Sequence, residues 1–344
     1  MRAAIFSEHG GPEVLRIADV DVPEPGPGEV RIRVRASALN HLDLWVRRGL
    51  PIETTMPHIG GSDIAGRVEA VGPGVEGVPE GTRVVVDPVL GWEWVEGVER
   101  GEDFPAPRFR LIGEHTQGGF AEYAVVPAAN LLQVPDEVSF ETAAAAGLVF
   151  VTAWRALVTR GGVRAGESVL VTGGSGGVAT AAIQIAARSG ARVCVLTSGK
   201  ENAERVRELG AEVVLDRTEG SIAEVLEDGL GKATIDLALD SVGEPAWDGL
   251  IRVLKVRGRL VSIGATAGPK PGIDLRHVFW KQLSILGSTM GSPAEFRQVM
   301  RLVFRGAFRP VVDAILPLEQ VEEAHRRLEA GDVFGKLVLL PDTS

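Results

Sequence analysis

A glycine-rich stretch at residues 173–179 carries the clearest chemical pattern in the chain. From Gly174 onwards it reads G-x-G-x-x-A, which matches the G-x-G-x-x-G/A pattern of dinucleotide-binding loops. In such loops the first glycine, here Gly174, allows a tight turn. The second, Gly176, lets the backbone approach a pyrophosphate, and the small third residue lets helix and strand pack closely. The spacing therefore predicts a phosphate-binding turn.

The surroundings of this loop strengthen the prediction. The apolar run at residues 168–172 precedes it, and a helical pattern follows it directly. A helix that starts at the loop presents free N–H groups and the positive end of its dipole to phosphates. We therefore expect Gly177 and Val178, at the helix start, to bind the dinucleotide together with the two pattern glycines. The alternative is a glycine-rich turn without a ligand.

The end of the next predicted strand bears on the choice of dinucleotide. NAD-binding proteins commonly place Asp or Glu there, about 20 residues after the loop, to bind the ribose 2′-hydroxyl. Here the strand at residues 192–196 is followed by Thr197, Ser198 and Lys200, without a carboxylate. Hydroxyl donors and a cation favour a 2′-phosphate. The sequence therefore favours NADP(H), with NAD(H) as the alternative. If Lys200 is simply a solvated residue at a helix start, it does not distinguish the two dinucleotides.

The elements that must position this loop are readable from the chain's periodicity. Apolar runs begin near Val169, Val193, Val213, Ile235, Leu260 and Leu283. Helical patterns separate most of them, as a doubly wound parallel sheet requires. The stretch from Asp136 to Glu244 lacks proline, which suits regular alternation. Thirteen prolines precede it, in a part where short strands such as residues 30–35, 82–86 and 120–126 predict a β-rich unit.

Length and composition limit the classes of protein to consider. At about 100–200 residues per domain, 344 residues suggest two domains. One cysteine excludes a disulfide framework and a cysteine-cluster zinc site. A net charge of −10 without a basic block argues against nucleic-acid binding. The longest apolar stretch, residues 143–154, is shorter than the about 20 residues that span a bilayer. We expect a soluble cytoplasmic globular protein whose partner is a small molecule, with no nucleic-acid or membrane partner.

Several motifs, in order along nearly the whole chain, resemble the medium-chain dehydrogenase/reductase superfamily, which contains zinc alcohol dehydrogenases and quinone oxidoreductases. They are residues 39–43 (LNHLD), 61–68 (GSDIAGRV), 81–84 (GTRV), 118–123 (GGFAEY), the glycine loop and 335–339 (GKLVL). The resemblance implies an α/β fold: a GroES-like β-rich catalytic domain at residues 1–132 and 293–344, and a Rossmann cofactor domain at residues 133–292.

The resemblance also implies where a catalytic zinc would be bound. The Cys, His and Cys ligands of zinc-containing members match Asn40, Ser62 and Leu148, so all three are missing. The structural zinc lobe would fall near residues 88–105, which contain no cysteine. We therefore expect no metal site. A substitute site from His41, Asp43, Asp63 or His115 is the alternative, because imidazole and carboxylate also bind zinc.

Quinone oxidoreductases without zinc resemble this chain in their Asn-x-x-Asp and Gly-Ser-Asp motifs. The resemblance implies that Asn40 donates a hydrogen bond to the substrate oxygen, with Asp43 and Asp63 orienting it as the remaining catalytic residues. His41 and Trp45 would line the substrate pocket. A purely structural reading assigns Asn40 to backbone contacts and Asp43 to capping a helix at residues 44–48.

Further cofactor contacts follow from the resemblance. Thr152 matches the threonine that faces the nicotinamide, and Lys336 matches a basic residue near the pyrophosphate. Ser241, Gly264 and Ala265 follow the fourth and fifth strands, at the edge where ligands bind in such sheets.

The predicted function is hydride transfer between NAD(P)(H) and a quinone, enone or other carbonyl or alcohol, without catalytic zinc. One alternative is an alcohol dehydrogenase with zinc on other ligands, and another is a non-catalytic dinucleotide-binding protein. The last sheet strand, near residues 283–288, commonly pairs subunits in the family, so a homodimer or homotetramer is expected.

Overall fold

The computed structural model describes residues 1–99 and 109–341 and divides into two compact units. One comprises Met1–Leu148 and Ser292–Ser344, and the other Val149–Gly291. The sequence placed the first boundary earlier, at residues 132 and 133. The difference arises because residues 133–148 pack on the first unit; for example, the Leu148 N–H donates to Asp63 Oδ1 at 2.7 Å.

The N-terminal part of the first unit, Met1–Leu148, is rich in β-strands. Its strands there are β1 (Arg2–Ile5), β2 (Arg16–Asp19), β3 (Glu29–Ala38), β4 (Asp63–Val71), β5 (Arg83–Val86), β6 (Val89–Leu90), β7 (Arg110–Leu111), β8 (Tyr123–Pro127) and β9 (Leu131–Gln133). The helices that begin in this stretch are α1 (His41–Arg48), α2 (Trp92–Glu99) and α3 (Phe140–Trp154).

The second unit is a doubly wound parallel sheet, as the sequence predicts. Its strands are β10 (Ser168–Val171), β11 (Arg192–Thr197), β12 (Val213–Asp216), β13 (Ile235–Asp240), β14 (Leu254–Ser262) and β15 (Ser284–Gly287). Its helices are α4 (Gly177–Arg188), α5 (Lys200–Glu208), α6 (Ile222–Leu230), α7 (Glu244–Val253) and α8 (Leu275–Trp280). The spatial order β12-β11-β10-β13-β14-β15 places the strand order reversal beside β10, where ligands bind in such folds.

The chain then returns to the first unit. The last elements are α9 (Pro293–Phe304), β16 (Val312–Pro317), α10 (Val321–Ala330) and β17 (Lys336–Leu340). Within the described ranges they complete a sheet of order β16-β17-β3-β4-β5-β9, with β8 also paired to β3. Register pairs Ala38 of β3 with both Asp63 of β4 and Val338 of β17. The ends of three strands distant in sequence therefore meet.

Each unit has its own apolar core. In β3 the alternate residues Val30, Ile32 and Val34 are fully buried, which explains the alternating pattern in the sequence. In the second unit the central strands β10, β11 and β13 are buried almost throughout, as expected of strands covered on both faces, and Leu170 is inaccessible to solvent.

Helix α3 is longer than its apolar stretch predicts, because it continues through a π-helical segment, Arg155–Arg160. The combined helix, Phe140–Arg160, is long and apolar enough to cross a membrane by length and composition alone. However, 72% of its most apolar window is buried inside the protein. A core helix of a globular protein has the same properties, so this helix is weak evidence for a membrane span.

The Arg47 side chain connects α1 to α10 inside the first unit. It is completely buried, donates to the Gly10 carbonyl at 3.1 Å and forms an ion pair with Glu329. Burial and the Arg47 charge lower the pKa of His325 to about 3, so the imidazole is neutral and its Nδ1 accepts from Arg47 at 3.0 Å. The buried guanidinium is therefore compensated by one carboxylate and one ring nitrogen.

We expect Arg47→Met to lower the free energy of unfolding by about 3 kcal/mol or more, because it leaves the largely buried Glu329 carboxylate without its main partner. The neighbouring Arg48 also contacts Glu329, at 2.9 Å, but is half exposed. Arg48→Met should therefore cost less than about 1 kcal/mol. Urea unfolding of both variants measures the difference, and equal costs would contradict this account of the ion pair.

Asp87, just after β5, is a buried carboxyl group that titrates near neutrality. Burial raises its pKa from the ordinary 3.8 to about 7, although its Oδ1 accepts from the Val89 N–H at 3.1 Å and Arg297 contributes a stabilising charge. Ionising the folded protein at this position is therefore unfavourable. The contribution of Asp87 to stability is complete below about pH 4 and is lost as the pH rises towards 7.

The variant Asp87→Asn keeps the acceptor for Val89 and removes the titration. Between pH 4 and 7 the unfolding free energy of the parent should decrease more than that of the variant. The difference between the two decreases should be up to about 4 kcal/mol. Thermal or urea unfolding at several pH values measures this. Parallel pH curves for the two proteins would show that Asp87 titrates normally in the folded state.

Candidate functional site

The glycine loop joins β10 to α4, in the strand–turn–helix setting that the sequence predicts. The tight turn belongs to Gly173, whose φ of +63° is in the left-handed region, and not to Gly174 as expected. A Cβ on Gly174 would lie 2.5 Å from Val195 Cγ1 and 2.9 Å from Thr197 Cβ. Gly174 is therefore required by the packing of the loop against β11.

The start of α4 has the features of a phosphate cradle. Gly176 is the N-terminal cap, and a Cβ there would meet only the Gly173 carbonyl oxygen, at 3.4 Å. Gly177 and Val178 occupy the first helical turn, where N–H groups have no acceptor within the helix. Ala179 is buried, as close helix–strand packing requires. The backbone donors and the missing side chains fit a pyrophosphate.

The end of β11 contains polar groups at the expected place, but a carboxylate lies beside them. Thr197 is buried and its Oγ1 has no partner among the described residues, while Ser198 is half-buried and Lys200 is exposed at the start of α5. Asp216, paired in register with Thr197, accepts from the Gly199 N–H at 2.9 Å. Asp216 was not predicted from the sequence, because the carboxylate was expected at the end of β11 and Asp216 ends the next strand, β12. Its hydrogen bonds to Thr218 and Gly199 lower its pKa, so it is ionised.

Asp240, at the end of β13, was also not predicted. It is fully buried and accepts from Thr172 Oγ1 at 2.7 Å, from Trp247 Nε1 at 2.9 Å and from the Gly243 N–H at 3.0 Å. These bonds fix the turn that contains Ser241, which lies beside the glycine loop; a Cβ on Gly173 would be 3.1 Å from Ser241 Oγ. Its position at the carboxyl end of a predicted strand, where ligands bind in such sheets, is the sequence signal that could have identified Asp240.

The remaining predicted cofactor residues of the second unit lie in two places. Gly264 and Ala265 follow β14, and the backbone of their turn bonds to the turn after β13, where the Thr266 N–H donates to the Ser241 carbonyl at 3.1 Å. Thr152 lies in α3, is buried and has its Oγ1 3.8 Å from Met290 Sδ. The glycine loop, Ser241 and the Gly264 turn therefore share the carboxyl edge of the sheet.

The first unit brings Asn40, Asp43 and Asp63 together, and Lys336 joins them. All four side chains are nine-tenths or more buried. Lys336 Nζ lies 3.0 Å from Asp63 Oδ2 and also donates to Asn40 Oδ1. The resemblance implied that Lys336 lies near the pyrophosphate; in the structure its ammonium lies inside this cluster, because β17 pairs with the end of β3. We refer to Asn40, Asp43, Asp63 and Lys336 as the buried polar cluster.

The amide of Asn40 is oriented from both ends. Its Nδ2 donates to Asp63 Oδ2 at 2.9 Å and, over a long 3.4 Å, to the Ala38 carbonyl, while its Oδ1 accepts from Lys336. Only one amide orientation satisfies a carboxylate on one side and an ammonium on the other. The Asn40 Nδ2 hydrogen that makes the weak 3.4 Å contact with Ala38 is therefore available to a further acceptor.

Asp43 supports the backbone around Asn40. Its Oδ2 accepts from the Asn40 N–H at 2.7 Å and its Oδ1 from the Gly61 N–H at 3.0 Å, so it connects the start of α1 to the segment before β4. The helix begins at His41 and not at residue 44, which makes Asp43 the third residue of the capped first turn. Burial raises the pKa of Asp43 to about 7 despite these bonds.

The other predicted residues of this region lie at the surface or in the core. His41 is exposed at the start of α1, and Trp45 is half-buried with the Arg48 guanidinium 5.7 Å from its ring centroid. Ser62 is completely buried, and its Oγ has no hydrogen-bond partner in the described part of the chain. His115 accepts from the Leu111 N–H at 3.2 Å.

A metal would need ligands that converge on one point. Across residues 1–99 and 109–341, no group of three or more His, Cys, Asp or Glu side chains could hold a metal ion. Of the segment that matches the structural zinc lobe, residues 100–105 lie outside the described residues. Trp92, within the described part, is buried and packs edge-to-face on Phe109 at 6.1 Å between ring centroids.

Comparison with known proteins agrees with this architecture. The family profile of the alcohol dehydrogenase GroES-like domain matches residues 26–136, and that of the zinc-binding dehydrogenase matches residues 177–305. The chain is 31% identical to the quinone oxidoreductase of Homo sapiens, over 99% of this chain and 98% of the human protein. It is 32% identical to the crotonyl-CoA reductase of Streptomyces avermitilis, over 87% of this chain and 71% of that enzyme.

A solved structure described as an NAD-dependent alcohol dehydrogenase is 44% identical, with a TM-score of 0.92, over 99% of this chain and all of that one. The relatives are oxidoreductases, and the profiles cover both units. The chain is therefore an NAD(P)-dependent oxidoreductase that belongs to the medium-chain dehydrogenase/reductase superfamily.

Proposed function

We propose that this protein transfers hydride from NAD(P)H to a quinone, an enone or a related activated carbonyl compound, without a catalytic zinc. The observation that carries the proposal is the donor set of the first unit. The positions that match the family's zinc ligands hold an amide, a hydroxyl and an aliphatic side chain, at Asn40, Ser62 and Leu148. Zinc prefers thiolate, imidazole and carboxylate, so these residues do not fit it.

The reaction class follows from what the remaining residues can do. A bound nicotinamide supplies the hydride. The substrate oxygen gains negative charge as it is reduced and needs a hydrogen-bond donor. Asn40 Nδ2 has one hydrogen held firmly by Asp63 at 2.9 Å and one held weakly by Ala38 at 3.4 Å. We assign the second hydrogen to the substrate, with Asp43 and Asp63 orienting Asn40, and His41 and Trp45 lining the substrate side.

The relatives support this class and also define its competitor. Quinone oxidoreductases and crotonyl-CoA reductase act, by their names, on quinones and on an unsaturated thioester. The 44% identity to a structure described as an NAD-dependent alcohol dehydrogenase favours a second candidate, alcohol oxidation with zinc on other ligands. A dinucleotide-binding protein without turnover is the third.

One assay separates the three. The purified protein is tested for oxidation of NADPH and NADH by a panel of quinones and enones, with and without a chelator, and its metal content is measured. We expect turnover with at least one acceptor that the chelator does not change. One tightly bound zinc per chain with alcohol-dependent activity would establish the alcohol dehydrogenase instead. Dinucleotide binding without turnover on any acceptor would establish the non-catalytic protein.

We further propose that NADP(H) is the preferred dinucleotide. Lys200 is exposed at the start of α5, next to the hydroxyl groups of Thr197 and Ser198. The exposed Arg217 adds a second cation at the same edge. The Asp216 carboxylate there already accepts hydrogen bonds on both oxygens. NAD(H) is the alternative that this carboxylate favours.

The variant Lys200→Glu should weaken NADPH binding at least tenfold relative to NADH, because it replaces a cation by an anion next to the 2′-phosphate. Lys232→Glu is the matched control, since Lys232 is exposed just before β13, at the opposite edge of the sheet. Dissociation constants from nicotinamide fluorescence measure both. A parent protein that binds NADH more tightly, or an unchanged ratio in Lys200→Glu, would contradict the assignment.

We also propose a cytoplasmic homodimer or homotetramer that pairs through β15. This strand is at the edge of its sheet, and an unpaired edge is a template for a second chain. The neighbouring helix α8 exposes Leu275, Phe279 and Trp280, the last at 82% of its surface. Exposed apolar groups of this size mark interfaces.

The double variant Phe279→Glu/Trp280→Glu should reduce the molecular mass in light scattering by at least half, because it places charges in the proposed interface. Val22→Glu, at an exposed valine of the first unit, is the control and should leave the mass unchanged. A monomeric parent protein would contradict the proposed assembly.

A further inference from the structure

Two of the three positions that match the family's zinc ligands donate hydrogen bonds to one carboxylate in this protein. Asn40 donates to Asp63, and Leu148 donates to the same carboxylate through its N–H at 2.7 Å. The Lys336 ammonium lies against Asn40 and Asp63 together. A positively charged group of this chain therefore contacts Asn40, one of the three positions that match the zinc ligands, and the Asp63 carboxylate to which Asn40 and Leu148 both donate.

The charges of Asp63 and Lys336 compensate each other without a metal. Asp63 is completely buried, and its Oδ2 accepts from both Lys336 and Asn40 while its Oδ1 accepts from Leu148. The Lys336 side chain is 3% exposed, so water cannot solvate its charge in place of the carboxylate. A divalent cation added here would face an ammonium a few ångströms away in a medium of low dielectric constant, where repulsion is strong.

We propose that Lys336 is a built-in replacement for the positive charge of the metal: it compensates Asp63, excludes a divalent cation and fixes the orientation of the Asn40 amide. The inference rests on the proposed zinc-independent function and adds the residue that maintains it. Lys336 acts through Asn40 and Asp63, so it is a positioning residue. This role differs from the phosphate contact expected from the sequence, because the Lys336 ammonium donates to Asn40 and Asp63 of the first unit.

The first test restores the zinc ligands with and without the lysine. The triple variant Asn40→Cys/Ser62→His/Leu148→Cys is made in the parent chain and together with Lys336→Met. Zinc affinity is measured by competition with a chromophoric chelator, with circular dichroism as the check of folding. We expect zinc to bind at least 100-fold more tightly when Lys336 is replaced.

The matched control for this comparison is Lys255→Met in the triple variant. Lys255 pairs with Asp236 at 2.7 Å but is 42% exposed and lies in the second unit, so its removal should not change zinc affinity. Equal zinc affinity with and without Lys336 would overturn the proposal. Neither measurement requires turnover, so the result is independent of whether the proposed quinone activity is found.

The second test separates a positioning residue from a phosphate ligand and remains decisive if the triple variant does not fold. In Lys336→Met/Asp63→Asn both buried charges are removed together, which avoids an uncompensated ion. We expect the dissociation constant for NADPH to change less than threefold and kcat with the preferred acceptor to fall at least tenfold. An increase of tenfold or more in the NADPH dissociation constant would assign Lys336 to the pyrophosphate and overturn the proposal.

Discussion

The ion pair between Lys336 and Asp63 is the interaction on which the organisation of the first unit depends. Two buried charges are stable only when each is compensated, and the cost of desolvating them is recovered only with good geometry. Asp63 starts β4 and Lys336 starts β17, and both strands meet at the end of β3. The sheet register and the position of Asn40 are thus tied to one electrostatic requirement.

The members of this superfamily that the chain resembles carry different activities on one architecture. Fold similarity therefore establishes hydride chemistry as a class, while the substrate depends on the site. In this protein hydrogen bonds connect an amide, two carboxyl groups and an ammonium where β3, β4 and β17 meet. Under the proposed function, this network supplies fixed hydrogen-bond donors to an acceptor already activated by conjugation, which needs less help than an unactivated alcohol.

The second unit was largely predictable from the sequence, since its signals are local. Apolar strand periodicity, crossover helices and the glycine spacing each operate within about 30 residues. The buried polar cluster was predictable only in part. The motifs indicated Asn40, Asp43 and Asp63, but the partner of Asp63 is 273 residues away and no local pattern connects them. The turn was assigned to Gly174 when Gly173 makes it, and Asp216 was missed, since its place beside Thr197 depends on the pairing of β12 with β11.

The discontinuity of the first unit has a consequence for the order in which the protein forms during synthesis. The second unit, Val149–Gly291, is continuous in sequence and can fold as soon as it leaves the ribosome. The first unit cannot, because Asp63 lacks its counter-charge and β3 lacks its neighbour until residues 336–340 have been made. Nascent chains therefore pass through a state in which a dinucleotide already has its binding loop while the residues that would act on a substrate are still unassembled.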